Sequence, residues 1–279
     1  MSDGVTANQR LRRLGGGDDA GIDLIEAAVL VSARTRPGVT GQPYRRHFRA
    51  IADAVATYAG AARARPSLEL RREALAQVIG RHYGYRLQED AAKDPDASDL
   101  LRVVDGRGGS AEALGLVHVI TLGLVGWPAA ALAFPTRPLV RLEDEGERMV
   151  IDPASAARVM TPQDLRAILK AEEGNQAELV PAHFEPMGAR DLLVRLLRAR
   201  KRAFLVRNRL DDALEVVETA LMIAPGDAGL WRESGLLNAR LDRVRDAVAA
   251  LEEYLRHDAG EAARYNTSVL LQELRARLT

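Results

Sequence analysis

Five side chains between residues 110 and 152 have the chemistry of a reactive site: the Ser110 hydroxyl, the Glu112 carboxylate, the His118 imidazole, the Arg137 guanidinium and the Asp152 carboxylate. A serine becomes a nucleophile only beside a group that takes its proton. Glu112 lies two positions on and points elsewhere on a helix, while His118 lies eight positions on, about two turns away. Both are carried as candidate acid/base groups. The simpler reading makes Ser110 the N-cap of a helix starting at Ala111, and His118 a hydrogen-bonded histidine of an apolar helix. The chain contains no cysteine, so thiol chemistry is excluded. The acidic run Glu89–Asp99 lacks the mid-loop glycine and closing glutamate of a calcium loop and reads as a solvated loop. No metal and no cofactor are expected.

The elements that must position these groups are legible from periodicity and punctuation. A helix from Ser110 leads into an apolar run, Trp127 to Pro135. Residues 139–152 then alternate apolar and polar around Gly146, a hairpin pattern. Before them, 21–34, 43–64 and 68–83 have helical spacing of apolar residues, with Phe48, Ile51, Val55 and Tyr58 on one predicted face. After them, Thr161-Pro162-Gln163-Asp164 opens another helix, with threonine as cap and proline at the first helical position. Residues 175–186 read as a connector.

The motifs in this region resemble those of a known family, the SirB-like bacterial cytosolic proteins that join a transglutaminase-like domain to tetratricopeptide repeats. The resemblance rests on Ala97-Ser-Asp-Leu-Leu-Arg-Val-Val104, Phe134-Pro-Thr-Arg-Pro-Leu-Val-Arg141 and Ile151-Asp-Pro153, and it extends from about Gly21 to the C-terminus. It implies a papain-like, transglutaminase-like domain with a triad. Aligned on those motifs, the nucleophile position falls on Ala113 and the histidine position on Arg137; only Asp152 keeps the family's residue. Alanine carries no nucleophilic atom, and arginine does not release its proton near neutral pH. The resemblance therefore implies a degenerate triad and a protein without protease or transglutaminase activity of its own. Arg137 has two readings. It pairs with Asp152, or it combines with Ser110 and the helix N-terminus to bind a small anion such as phosphate, sulfate or a carboxylate.

From Ala189 the chain is helical, and it repeats. Asn208–Leu221 aligns with Asp242–Leu255 at a shift of 34 residues, the tetratricopeptide period. Ala213 and Ala247 are the small residues that let paired helices approach. Trp231 and Gly235 take the matching positions of the second repeat. Trp231 and Asn238 are candidate partner-binding residues.

Composition bounds the rest. The 279 residues are 47% apolar, with 39 basic and 39 acidic side chains. Zero net charge argues against nucleic acid or an anionic membrane as the main partner. No window offers about twenty uninterrupted apolar residues. The expectation is an α+β, mainly helical protein: a flexible leader over 1–19, a transglutaminase-like domain over 20–186 with a small antiparallel sheet, and a repeat module over 187–279. Its expected role is a cytoplasmic, partner-binding pseudoenzyme within a heteromeric complex, with a biosynthetic enzyme as one possible partner. The alternative is an enzyme with changed chemistry acting on an anionic small molecule through Arg137.

Overall fold

The computed structural model describes residues 6–60, 65–257 and 261–278. Helices dominate, as the periodicity predicts. Helices α2 (Leu24–Ala33), α3 (Gln42–Tyr58) and α4 (Leu68–Leu75) precede the central elements, and α4 runs on into a π-helical turn over Ala76–His82. Strand β1 (Arg86–Leu87), helix α5 (Leu100–Gly106) and strand β2 (Gly108–Gly109) follow, the two short strands pairing in parallel. Helix α6 (Ala111–Val125) then enters the middle of the first core, with Ala113, Leu114, Leu116 and Val117 buried.

Four antiparallel strands, β3 (Ala129–Leu132), β4 (Leu139–Asp144), β5 (Glu147–Asp152) and β6 (Arg158–Val159), lie side by side in chain order. The β4–β5 turn places Glu145 and Gly146 at φ of 47° and 90°, the left-handed pair that a two-residue hairpin requires. The hairpin packs its buried residues, Val140, Leu142 and Ile151, into the same core as α6. The predicted face of α3 is buried at Phe48, Ile51 and Val55, but Tyr58 sits 45% exposed, its hydroxyl donating to Glu73.

After α7 (Pro162–Glu173), the segment before α8 (Ala189–Val206) lies along β3: Ala133 N donates to the Glu185 carbonyl and Met187 N to that of Ala131. The repeats then stack as α8 against α9 (Leu210–Ile223) and α10 (Ala228–Arg240) against α11 (Val244–Arg256), with α12 (Glu261–Ala276) closing the row. Ala213 and Ala247 are fully buried between the paired helices, and a Cβ on Gly235 would sit 2.5 Å from Leu251 Cγ. Close approach is thus enforced at the positions where the repeat pattern asks for small residues.

Two expectations fail. Residues 7–16, placed in the flexible leader, form helix α1 (Ala7–Gly16), whose Leu11 is completely buried with residues of α9. Its cap is built locally: the Thr6 hydroxyl accepts from Gln9 N while the Gln9 side chain accepts from Thr6 N. A glycine-rich composition hid an amphipathic turn pair that another part of the chain covers; residues 1–5 lie outside the described set. The acidic run is not solvated throughout either. Asp99 is 2% exposed and does three things at once. It caps α5 by accepting from Leu101 N and Arg102 N, it accepts from Ser32 Oγ at 2.8 Å, and it lies 3.2 Å from Arg200 of α8.

Replacing Asp99 by alanine would leave Arg200 as an uncompensated buried charge and remove a helix cap. The expected loss is about 3–5 kcal/mol of unfolding free energy, read as a lowered urea midpoint. Leu11→Ala should cost about 2 kcal/mol or more if α1 is part of the cooperative unit, and nothing measurable if residues 7–16 were a detached leader.

Candidate functional site

The site inferred from sequence assembles where α6 begins. Ser110 is the N-cap: its hydroxyl accepts from Ala113 N at 3.2 Å and from Ser98 Oγ at 3.0 Å. Both of its neighbours are structural, and neither is a base. Ala113 is completely buried, so the position aligned with a nucleophile has no surface to offer a substrate. Two residues on, Gly115 faces Pro138 so closely that a Cβ would stand 2.9 Å from the proline Cβ. That contact holds the 134–138 loop, and with it Arg137, against the start of α6.

Arg137 meets Asp152, as one of the two sequence readings expects. Its Nη1 donates to Asp152 Oδ2 at 3.3 Å, and its Nη2 reaches Glu172 Oε1 at 3.5 Å. Asp152 is 1% exposed and fully engaged: Ala154 N and Ser155 Oγ also donate to it, at 2.9 and 2.8 Å. A carboxylate that receives a guanidinium, a hydroxyl and an amide has little left to orient a further group. The cation that the anion-binding reading relies on is thus held by two carboxylates, and the hydroxyl at that terminus is held by two hydrogen bonds.

The acid/base candidates separate. His118 is buried in the body of α6, its Nδ1 hydrogen-bonded to the Leu114 carbonyl. Burial pushes its pKa down to about 4, against the upward pull of that bond and of the Asp152 charge, so the ring is neutral at pH 7. Ser110 bonds to Ser98 and to the backbone, not to this ring. Glu112 faces the other way, into a cavity of about 680 Å³, and pairs with Arg202 of α8 at 3.0 Å.

Sequence reasoning passed over that cavity. Its walls come from the 133–136 loop, the end of α7 and the face of α8 that carries Arg195, Arg198 and Arg202. The three arginines recur at helical spacing, with buried Leu192, Leu193, Leu196 and Leu197 on the opposite side. That charge stripe was visible in the sequence; the surface it would face was not. The expected partner-binding residues occupy a different depression, of about 920 Å³, formed by Trp231, Ser234, Asn238, Leu221 and Met222 with Arg12 of α1. The Trp231 indole donates to the Pro225 carbonyl at 2.8 Å, and the Asn238 amide is turned onto Ser234 of its own helix. Among the described residues no group of three or more His, Asp or Glu side chains is arranged to hold a metal ion. No helix among them is long and apolar enough to cross a membrane.

His118 has a consequence for stability against pH. The folded chain refuses a proton that the unfolded chain accepts below about pH 6.5, so its contribution is complete above that pH. It falls as the pH drops toward about 4 and is flat below. Urea midpoints measured from pH 7 to 4 should decline over this window by up to roughly 3 kcal/mol in free energy, and His118→Leu should flatten the slope.

Comparison with known proteins agrees with this architecture. Residues 42–198 match the profile of the Transglutaminase-like superfamily, and residues 200–277 that of the Tetratricopeptide repeat. The chain is 24% identical over 248 residues to a UPF0162 protein of Xylella fastidiosa strain Temecula1, covering 85% of each. It is 27% identical to UPF0162 protein YchA of Escherichia coli strain K12, over 67% of this chain and 70% of that protein. It is 26% identical to Protein SirB1 of Salmonella typhimurium, over 66% and 68%. With the superfamily profile spanning more than half of the sequence and the repeat profile filling most of the remainder, the chain belongs to the transglutaminase-like superfamily, its superfamily domain followed by tetratricopeptide repeats.

Proposed function

We propose that this protein is a catalytically degenerate member of its superfamily that works as a partner-binding subunit, steadying or completing the site of an enzyme in a heteromeric complex. The observation that carries the reading is the occupation of Asp152 by Arg137. The carboxylate that should orient a catalytic histidine instead neutralises a permanent cation at 3.3 Å. The sealing of Ala113 supports the same conclusion from the nucleophile side.

What remains exposed is suited to binding. The 920 Å³ groove opens between the repeat helices, with the Trp231 ring, Leu221 and Met222 as apolar surface and Glu218 and Asp246 exposed beside them. Repeat arrays present such faces to other proteins. An enzyme acting through Arg137 and the α6 N-terminus gains no support, because the groups it needs are engaged with one another or buried.

The test combines capture with activity. Tagged full-length protein should co-purify with a protein partner from its native lysate. Trp231→Ala and Met222→Asp should reduce recovery at least tenfold, while Arg137→Ala leaves it unchanged. A chain that elutes alone, or one that hydrolyses or transfers amides and loses that activity in Asp152→Asn, would refute the proposal.

A further inference from the structure

The cavity of about 680 Å³ is lined by side chains of both charges. On α8, Arg195 donates from Nη1 to the Phe134 carbonyl at 2.6 Å and from Nη2 to that of Pro135 at 3.2 Å. Both acceptors are neutral, and among the described residues no carboxylate lies within ion-pair distance of this guanidinium. Burial disfavours its charge, Glu112 partly offsets that, and Arg202 adds to it. Arginine nonetheless stays protonated at pH 7. Asp191 on α8 and Glu173 at the end of α7, both exposed, also line the cavity and have no cationic partner among the described residues. Asp191 and Arg195 are spaced to pair along one helix face, four residues apart, yet the arginine is turned to the loop carbonyls instead. The Thr136 hydroxyl, on the same lining, is buried and finds no partner in the protein.

We propose that this cavity binds a small zwitterion of the short-peptide class, its carboxylate on Arg195 and its ammonium group on Asp191 and Glu173. Size and charge both select this ligand. Four helical residues separate Asp191 from Arg195 by about 6 Å along the axis. An extended peptide advances about 3.3–3.6 Å per residue, so two or three residues reach from one charge to the other. The volume lies within the range of small-molecule sites. Five carboxylates and three arginines line the cavity, so an ion such as phosphate would enter against an excess of negative charge, whereas a zwitterion adds none. The assignment does not depend on a protein partner.

Calorimetric titration of the full chain with trialanine, with its N-acetylated form and with its C-amidated form tests both ends without altering the protein. Saturable heat is expected from trialanine, and binding at least tenfold weaker from each blocked form. Arg195→Gln should lose most of the affinity for trialanine, and Asp191→Asn a similar share. Absence of saturable heat from trialanine overturns the proposal. So does a blocked form that binds as tightly as the free peptide. If Arg195→Gln fails to fold, the comparison of the three ligands on the unaltered chain decides alone.

Discussion

The structure hangs on one buried contact between charges. Asp99 and Arg200 are almost without solvent exposure and stand 3.2 Å apart, and their contact is coulombic more than a well-aligned hydrogen bond. Removing two charges from water is costly, and the cost is recovered only where each has further partners. Asp99 has them in the Ser32 hydroxyl and the first backbone amides of α5. One carboxylate therefore ties α2, α5 and α8 together. At the other end of α8, Asp19 accepts from Ala189 N and Arg190 N at 2.9 and 2.8 Å, capping the helix from 170 residues away in sequence. Held at both points, α8 acts as a fixed beam. The superfamily match ends within it and the repeat match begins within it, so the beam joins the two halves of the chain.

That placement explains the division between a closed site and an open one. At the start of α6, Ser110 is matched to Ser98, and Arg137 to Asp152 and Glu172. Arginine supplies no partner whose protonation changes near neutral pH. Across the α6 mouth, α8 offers arginines whose partners are less complete. Arg202 meets Glu112, Arg198 meets Asp227, and Arg195 meets two backbone carbonyls and the Met187 sulfur, all neutral. The cavity lies beside Ala113, Arg137 and Asp152, bordered by Glu112 next to Ala113 and by Thr136 next to Arg137.

The repeat module gains a wall from the opposite end of the chain. Helix α1 packs on α9 through Leu11 and contributes Arg12 to the edge of the repeat groove. A short repeat array has exposed ends that must be covered, and α12 covers one while α1 lies over α9. The groove is thus built from residues more than two hundred positions apart.

Local sequence determined much of this. The helix starts at Ser110 and Thr161, the turn at Gly146, the small antiparallel sheet and the 34-residue repeat all follow from capping chemistry, backbone angles and apolar periodicity. These depend on near neighbours and survive wherever the segment sits. The Arg137–Asp152 contact was one of two readings that the family resemblance offered for Arg137, which stands where the family has a histidine. Only the tertiary structure decided that residues 7–16 are a docked helix, that Asp99 is buried among acidic neighbours that are not, and that Arg195 turns from Asp191 toward the 134–135 carbonyls. In each case the outcome depends on which distant surface covers the group. Burial sets whether a charge must find a partner, and no near-neighbour pattern encodes burial.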